Sequence, residues 1–131
     1  MSEWVLLLGG STGHGAATAK KLANDGYGII AFHFDRGEAK KIAEETISEV
    51  NELTSGRCHY FNTNAAAEET IDKHLPEIQK ITNGKPLKLL LHSIAFGTTT
   101  VFDQCQVQLL FLLYHISRLH QRYVECDPTL A

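Results

Sequence analysis

The residues of this chain with the clearest chemical potential lie between positions 9 and 15. Four of these seven positions are glycine: Gly9, Gly10, Gly13 and Gly15. An apolar run at 5–8 precedes them, and residues 16–23 continue with apolar side chains at helical spacing. Glycine lets a backbone turn tightly and approach a ligand closely. A strand, a glycine loop and a helix N-terminus together favour phosphate binding, because unpaired helix amides and the helix dipole attract an anion.

The spacing of the glycines narrows the kind of phosphate site. Gly9, Gly13 and Gly15 form the pattern G-x-x-x-G-x-G, whereas a triphosphate loop of the form G-x-x-x-x-G-K-[ST] is absent. We therefore predict a dinucleotide site in which these glycines lie against the cofactor. Three more residues of the loop are expected to contact its phosphates through backbone and hydroxyl groups: Ser11, Thr12 and His14. A glycine-rich turn without a ligand is the alternative.

A second group of polar residues follows the next apolar run. Ile29–Phe34 is predicted to be a strand, and His33, Asp35 and Arg36 lie at its end. In dinucleotide sites an acid at this point accepts hydrogen bonds from the adenosine ribose, while an arginine can meet a 2′-phosphate. Arg36 favours NADP(H) over NAD(H) as the cofactor. A solvated turn that binds nothing is the alternative.

The elements needed to position these residues alternate along the chain. Two further strands are predicted at 57–62 and Leu87–Leu91, and helices at 37–54 and from Asn64 to Asn83. Pro76 lies inside the second helical pattern, where proline is typical of a kink or a break. Asn64 is a candidate N-cap of the latter helix. Alternating strands and helices predict an α/β fold of the Rossmann type, a doubly wound parallel sheet. We expect about four strands in the order 3-2-1-4, with the ligand at their carboxyl ends.

Composition excludes several classes of protein. The 131 residues suffice for one domain, and the net charge of −3 offers no general attraction to nucleic acid or to an anionic membrane. The longest apolar run, Leu109–Tyr114, is too short to span a bilayer, and no secretory signal opens the chain. Three cysteines, an odd and small number, favour a reducing compartment. We expect a cytoplasmic protein.

The character of the sequence changes near residue 100. All ten glycines lie at or before Gly97, and four of the five glutamines lie between Gln104 and Gln121. We predict a nucleotide-binding half-domain at 1–100 and an atypical tail, partly helical, at 101–131. The tail holds His115, His120 and Cys126, but their spacing matches no zinc motif, so no metal site is predicted.

The glycine pattern and the segment His92-Ser93-Ile94-Ala95-Phe96 together resemble the short-chain dehydrogenase/reductase family. The second motif is similar to that of the enoyl-acyl-carrier-protein reductase branch, which reduces the 2,3 double bond of acyl thioesters in fatty acid synthesis with NADH or NADPH. The resemblance covers residues 3–100. It implies that Ser93, Ile94 and Ala95 line the cofactor riboses. It also implies that Asn64 contacts the adenine and that His33 occupies the usual acidic position, with Asp35 two residues beyond.

The chain departs from that family in its catalytic pair. The resemblance implies a proton-donating tyrosine followed by lysine four or seven residues later, and no tyrosine of this chain has such a lysine. No catalytic residue is therefore predicted. We expect a truncated or frame-shifted form that binds a nicotinamide dinucleotide without completing the reaction, and whose exposed sheet edge favours homo-oligomers. A stand-alone binding module or redox sensor, or a remnant without a ligand, are the alternatives.

Overall fold

The structure is a computed structural model that describes residues 3–65 and 67–93. These residues belong to one compact unit that extends to Ser93. The elements are β1 (Trp4–Leu8), α1 (Gly13–Asn24), β2 (Gly28–His33), α2 (Glu38–Leu53), β3 (Cys58–Asn62), α3 (Glu68–Thr82) and β4 (Leu89–His92). All the strand pairs are parallel, and the order is β3-β2-β1-β4. The predicted α/β fold of the Rossmann type and its strand order 3-2-1-4 are confirmed.

One face of the sheet carries the main apolar core. Side chains that alternate along β1 and β2 pack there against α1 and α2, as the two-residue period of a strand requires. The members of this core are Val5, Leu7, Ala19, Ala23, Ile29, Ala31 and Val50. Burying a valine, leucine or isoleucine side chain contributes about 1.5–3 kcal/mol, so this layer fixes β1 and β2 beneath the glycine loop.

The opposite face of the sheet is covered by α3. Leu6, Leu8 and Ile30 are buried on it, and the His74 ring of α3 lies 5.5 Å from the Phe32 ring centroid and 4.8 Å from that of Phe61. Helices on both faces explain why β1 and β2 are continuous apolar runs.

Two sequence predictions about α3 need correction. The helix begins at Glu68 with Ala67 as its N-cap, so Asn64 is not the cap residue. Instead, the backbone carbonyl of Asn64 accepts hydrogen bonds from the Ala67 N–H at 3.1 Å and the Thr70 hydroxyl at 2.7 Å, which form a turn before the helix. Pro76 lies inside α3 and does not break it. Packing of the apolar face stabilises a helix more than local propensity does, and this outweighs the hydrogen bond that proline cannot donate.

The remaining boundaries differ from prediction by one or two residues. β2 begins at Gly28 and ends at His33, and β4 runs from Leu89 to His92. The predicted tail at 101–131 lies outside the described residues. Among the residues described, no helix combines the length and the apolar character that crossing a membrane requires.

Candidate functional site

The carboxyl ends of the four strands meet at one edge of the sheet. In the parallel register Leu8 lies beside Phe32 and His92, and His33 lies beside Asn62. The glycine loop, the segment after β2 and the residue Ser93 after β4 therefore start next to one another. This edge is where open α/β sheets bind ligands.

The backbone of the glycine loop is held tightly against β2 and α1. The Phe32 carbonyl accepts hydrogen bonds from the N–H groups of Gly9 at 2.8 Å and Gly10 at 3.3 Å. Gly9 and Gly13 have φ angles of 92° and 55°, which glycine adopts at little cost. A Cβ on Gly15 would lie 1.6 Å from the Gly9 carbonyl oxygen, and one on Gly10 would lie 2.9 Å from the Ala31 Cβ. Two glycines are thus required by conformation and two by close packing.

The N-terminus of α1 is suited to an anion. Thr12 is the N-cap, but its side chain makes no capping hydrogen bond, and the first turn contains no acidic residue. The first N–H groups of a helix have no partner within the helix, and they carry the positive end of its dipole. Thr12, Gly13 and His14 are exposed, so these donors are accessible to a phosphate.

Asp35 joins the glycine loop to the end of β2. The Ser11 hydroxyl donates to Asp35 Oδ2 at 2.6 Å, and His33 Nδ1 lies 2.8 Å from the same oxygen. An ionised carboxylate only accepts hydrogen bonds, so it selects the form of His33 that is protonated on Nδ1. The His33 side chain is 5% exposed and that of Asp35 14%. Asp35 is therefore the more accessible of the two to a ligand, with His33 beneath it.

Asn62 and Phe34 hold the segment that follows β2. The Asn62 amide accepts from the Asp35 N–H and donates to the Asp35 carbonyl, both at 3.1 Å. The Arg36 guanidinium lies 4.7 Å from the centroid of the Phe34 ring. Arg36 is exposed, and no ion pair between the described residues involves it. A cation and a carboxylate therefore stand next to each other at this edge.

Tyr60 reaches the glycine loop from β3. Its hydroxyl donates to the Gly10 carbonyl at 2.9 Å, and its ring packs edge-on against His33 with a centroid distance of 5.9 Å. Burial raises the pKa of Tyr60 well above its ordinary value, and the Cys58 thiolate raises it further. The phenol consequently remains a hydrogen-bond donor throughout the physiological range of pH.

The other predicted site residues lie after β3 and at the end of β4. Asn64 is half-buried after β3, and the Ser93 N–H donates to the Leu8 carbonyl at 2.7 Å at the end of β4. Ile94 and Ala95 lie outside the described residues. The Ser11 hydroxyl, expected on a phosphate, is directed to Asp35 in this structure.

Sequence reasoning did not select Tyr60 or Asn62. Both lie on β3, and they point to the same face because side chains alternate along a strand. Their partners in register are Ala31 and His33 on β2. The signal was present in the alternation of the predicted strand, but only the register shows that these side chains reach the site.

The chain is similar to known proteins both in sequence and in fold. A family model described as short chain dehydrogenase matches residues 3–112. A short-chain dehydrogenase/reductase from Serratia marcescens is 19% identical, with a TM-score of 0.71 over 94% of this chain and 50% of its own. Glucose dehydrogenase of Caenorhabditis elegans in its apo form is 17% identical, with a TM-score of 0.71 over 98% and 52%. L-Sorbose reductase from Gluconobacter frateurii, complexed with NADPH and L-sorbose, is 18% identical, with a TM-score of 0.71 over 96% and 48%.

The chain spans about half the length of these solved structures. No curated protein matches it significantly. Within residues 3–65 and 67–93, no group of three histidine, cysteine or acidic side chains is arranged to hold a metal ion. The histidines and the cysteine of the tail lie outside this part.

Proposed function

The chain belongs to the short-chain dehydrogenase family, and we propose that it binds a nicotinamide dinucleotide at the carboxyl edge of its sheet. The pyrophosphate would lie on the glycine loop and the N-terminus of α1, where Gly9 and Gly13 turn the backbone and Gly15 packs α1 against the end of β1. The adenosine ribose would lie beside Asp35 and the adenine beside Asn64. Ser93, Ile94 and Ala95 would approach the riboses from the end of β4.

The observation that carries this proposal is the form of the glycine loop. Gly15 lies directly under the Gly9 carbonyl, which brings the start of α1 against the end of β1. The same turn leaves the first amides of α1 without a capping side chain. A helix N-terminus without an acid of its own is complementary to a phosphate.

Arg36 supports NADP(H) as the preferred cofactor. Its guanidinium is exposed, lies on the Phe34 ring and is one residue from the carboxylate of Asp35. Arginine binds phosphate through several parallel hydrogen bonds. Ser11 and His33 both face Asp35 Oδ2, and these contacts offset part of the repulsion between that carboxylate and a 2′-phosphate. The NADPH complex of the sorbose reductase concerns that protein, and it supports the choice only by likeness of fold.

The reaction we propose for the family site is reduction of an enoyl thioester or a carbonyl compound. A bound nicotinamide supplies the hydride in such reactions. The segment His92–Ala95 supports the enoyl-acyl-carrier-protein reductase branch. Because no tyrosine of this chain has the lysine expected after it, we propose that these 131 residues bind the dinucleotide without completing the proton transfer.

A second candidate function is a non-catalytic binding module or redox sensor. The absent tyrosine–lysine pair favours it, since none of the residues proposed to hold the dinucleotide belongs to such a pair. The small and odd number of cysteines supports a cytoplasmic location. Within the described residues β4 is an edge strand of the sheet, and such an edge would support association of copies of the chain.

Titration of the purified protein with NADPH and NADH tests the proposal. Binding is measured by the fluorescence of the reduced nicotinamide, and reduction of crotonyl thioesters is measured in the same samples. Saturable binding with NADPH ahead of NADH supports the proposal, and failure to bind either at millimolar concentration refutes it. Binding with thioester turnover would identify a complete enzyme, whereas binding without turnover would favour the module.

A further inference from the structure

We propose that Tyr60 and Asn62, two side chains of β3, are positioning residues for the dinucleotide. Tyr60 holds the glycine loop, and Asn62 holds the segment at Asp35 and Arg36. The inference rests on the proposed binding of a dinucleotide. In this proposal the contact of Tyr60 with the glycine loop supports the affinity for both nucleotides. The contact of Asn62 with Asp35 supports the choice between NADPH and NADH.

Tyr60 acts on the part of the site that serves both nucleotides. Its hydroxyl donates to the Gly10 carbonyl, and the lack of a Cβ on Gly10 lets the ring approach to 3.3 Å of where that atom would be. The same glycine is bound through its N–H to the Phe32 carbonyl. The peptide planes on either side of Gly10 are thus fixed from two strands. A loop that is already ordered loses less conformational freedom when a ligand binds.

Asn62 acts on the part of the site that distinguishes the nucleotides. Its amide forms two hydrogen bonds with the backbone of Asp35, one to the N–H and one to the carbonyl. This is the pairing that a neighbouring strand would make, extended beyond the end of β2. It fixes the peptide that leads to Arg36, the residue proposed to meet a 2′-phosphate. Without it, the contacts with Asp35 that remain among the described residues are those of Ser11 and His33, and they act on its side chain.

The two contacts are separable because they reach different segments. Gly10 belongs to the loop that would bind the pyrophosphate, which NADH and NADPH share. Asp35 and Arg36 would lie beside the adenosine ribose, where the two nucleotides differ. Loss of Tyr60 should weaken both nucleotides equally, whereas loss of Asn62 should change their ratio.

The test compares Tyr60→Phe and Asn62→Ala with two matched controls. Tyr27→Phe removes a hydroxyl from a half-buried tyrosine before β2, at the opposite end of the sheet. Asn51→Ala removes an exposed amide from α2. Dissociation constants for NADPH and NADH are measured for each variant by nicotinamide fluorescence, and thermal unfolding is recorded without nucleotide. Amide hydrogen exchange at Asp35 reports directly on the bond to Asn62.

We expect Tyr60→Phe to weaken both nucleotides by about fivefold and to leave their ratio unchanged, as the loss of one hydrogen bond implies. We expect Asn62→Ala to move the NADPH-to-NADH ratio at least threefold towards unity and to speed exchange of the Asp35 amide. Both controls should bind as the wild type does.

Wild-type binding that persists unchanged in both variants would overturn the positioning roles and leave the proposed function intact. Equal weakening of both nucleotides by Asn62→Ala, in proportion to its loss of thermal stability, would show a merely structural role and overturn the assignment of specificity. Absence of binding by the wild-type chain would overturn the proposed function and this inference with it.

Discussion

Replacing Gly15 by alanine tests the packing that shapes the glycine loop. The added Cβ would lie 1.6 Å from the Gly9 carbonyl oxygen and 2.8 Å from its carbonyl carbon. Real Cβ atoms essentially never come within 3.0 Å of such an atom, so the two segments must separate by about 1.4 Å. The obstacle is backbone, and no rotation of a side chain relieves it. Gly9 would have to move away from the Phe32 carbonyl to which its N–H is bound.

The expected magnitude follows from two opposing effects. Alanine is the better helix former by up to about 1 kcal/mol, and Gly15 lies in the first turn of α1. Overpacking that forces the backbone to shift costs about 3 kcal/mol. We expect the free energy of unfolding to fall by about 2 kcal/mol, or about 8 °C in melting temperature for a chain of this size. Displacement of the loop should weaken NADPH and NADH by at least about tenfold, the equivalent of about 1.4 kcal/mol.

Gly84→Ala is the matched control for this experiment. Gly84 has a φ of 72° and open space around its missing Cβ, and it lies between α3 and β4, at the opposite end of the sheet from the loop. The substitution should cost about 1 kcal/mol for the left-handed conformation and leave nucleotide binding unchanged. Both variants are measured by thermal unfolding and by nucleotide fluorescence. A Gly15→Ala protein with wild-type stability and wild-type affinity would refute the reasoning.

Three further predictions concern charge, protonation and the helix α3. Arg36→Ala should weaken NADPH about tenfold and NADH less than about twofold in fluorescence titrations; equal losses for both would contradict the proposed 2′-phosphate contact. Burial raises the pKa of Cys58 from 9.0 to about 11, so between these pH values the folded chain keeps a thiol proton that the unfolded chain loses. The contribution of the protonated thiol to stability therefore falls as pH rises from about 9 to 11. Urea unfolding at pH 8 and pH 11 should show this loss, with a slope of up to about 1.4 kcal/mol per pH unit, and Cys58→Ala should reduce it; an identical decline in that variant would exclude the thiol as its cause. Pro76→Ala should raise the free energy of unfolding by about 1–3 kcal/mol in the same assay, since Pro76 is exposed within a continuous helix, and unchanged stability would show that the ring costs this helix nothing.

The order of the strands and the place of the loop were predictable from local pattern. Apolar runs separated by amphipathic helices predict parallel strands, and the first glycine after Leu8 marks the loop that follows β1 without any knowledge of tertiary contacts. The start of α3 was not predictable in the same way. Asn64 has the chemistry of a helix cap, but its backbone carbonyl is used in a preceding turn and the helix begins at Glu68.

The contacts around Asp35 illustrate what a sequence leaves open. Ser11 and Asp35 are separated by 24 residues, and Tyr60 and Gly10 by 50. Each pair forms only because β1, β2 and β3 are neighbours in one particular register. A shift of one residue along β3 would turn Tyr60 and Asn62 to the other face of the sheet. The prediction of a site at the strand ends therefore did not extend to the side chains that hold it.

The described contacts of the glycine loop support a separation of the proposed nucleotide binding from the proposed catalysis. The N–H groups of Gly9 and Gly10 donate to the Phe32 carbonyl, the Gly10 carbonyl accepts from Tyr60, and the Ser11 hydroxyl donates to Asp35. All three partners belong to β2, β3 or the residues just after β2. The proposed cradle is thus ordered by contacts within the first 62 residues, whereas the family's proton donor would have to come from elsewhere in the fold. Tight binding without turnover in the titration would agree with these contacts, because the residues that order the loop do not include the catalytic pair.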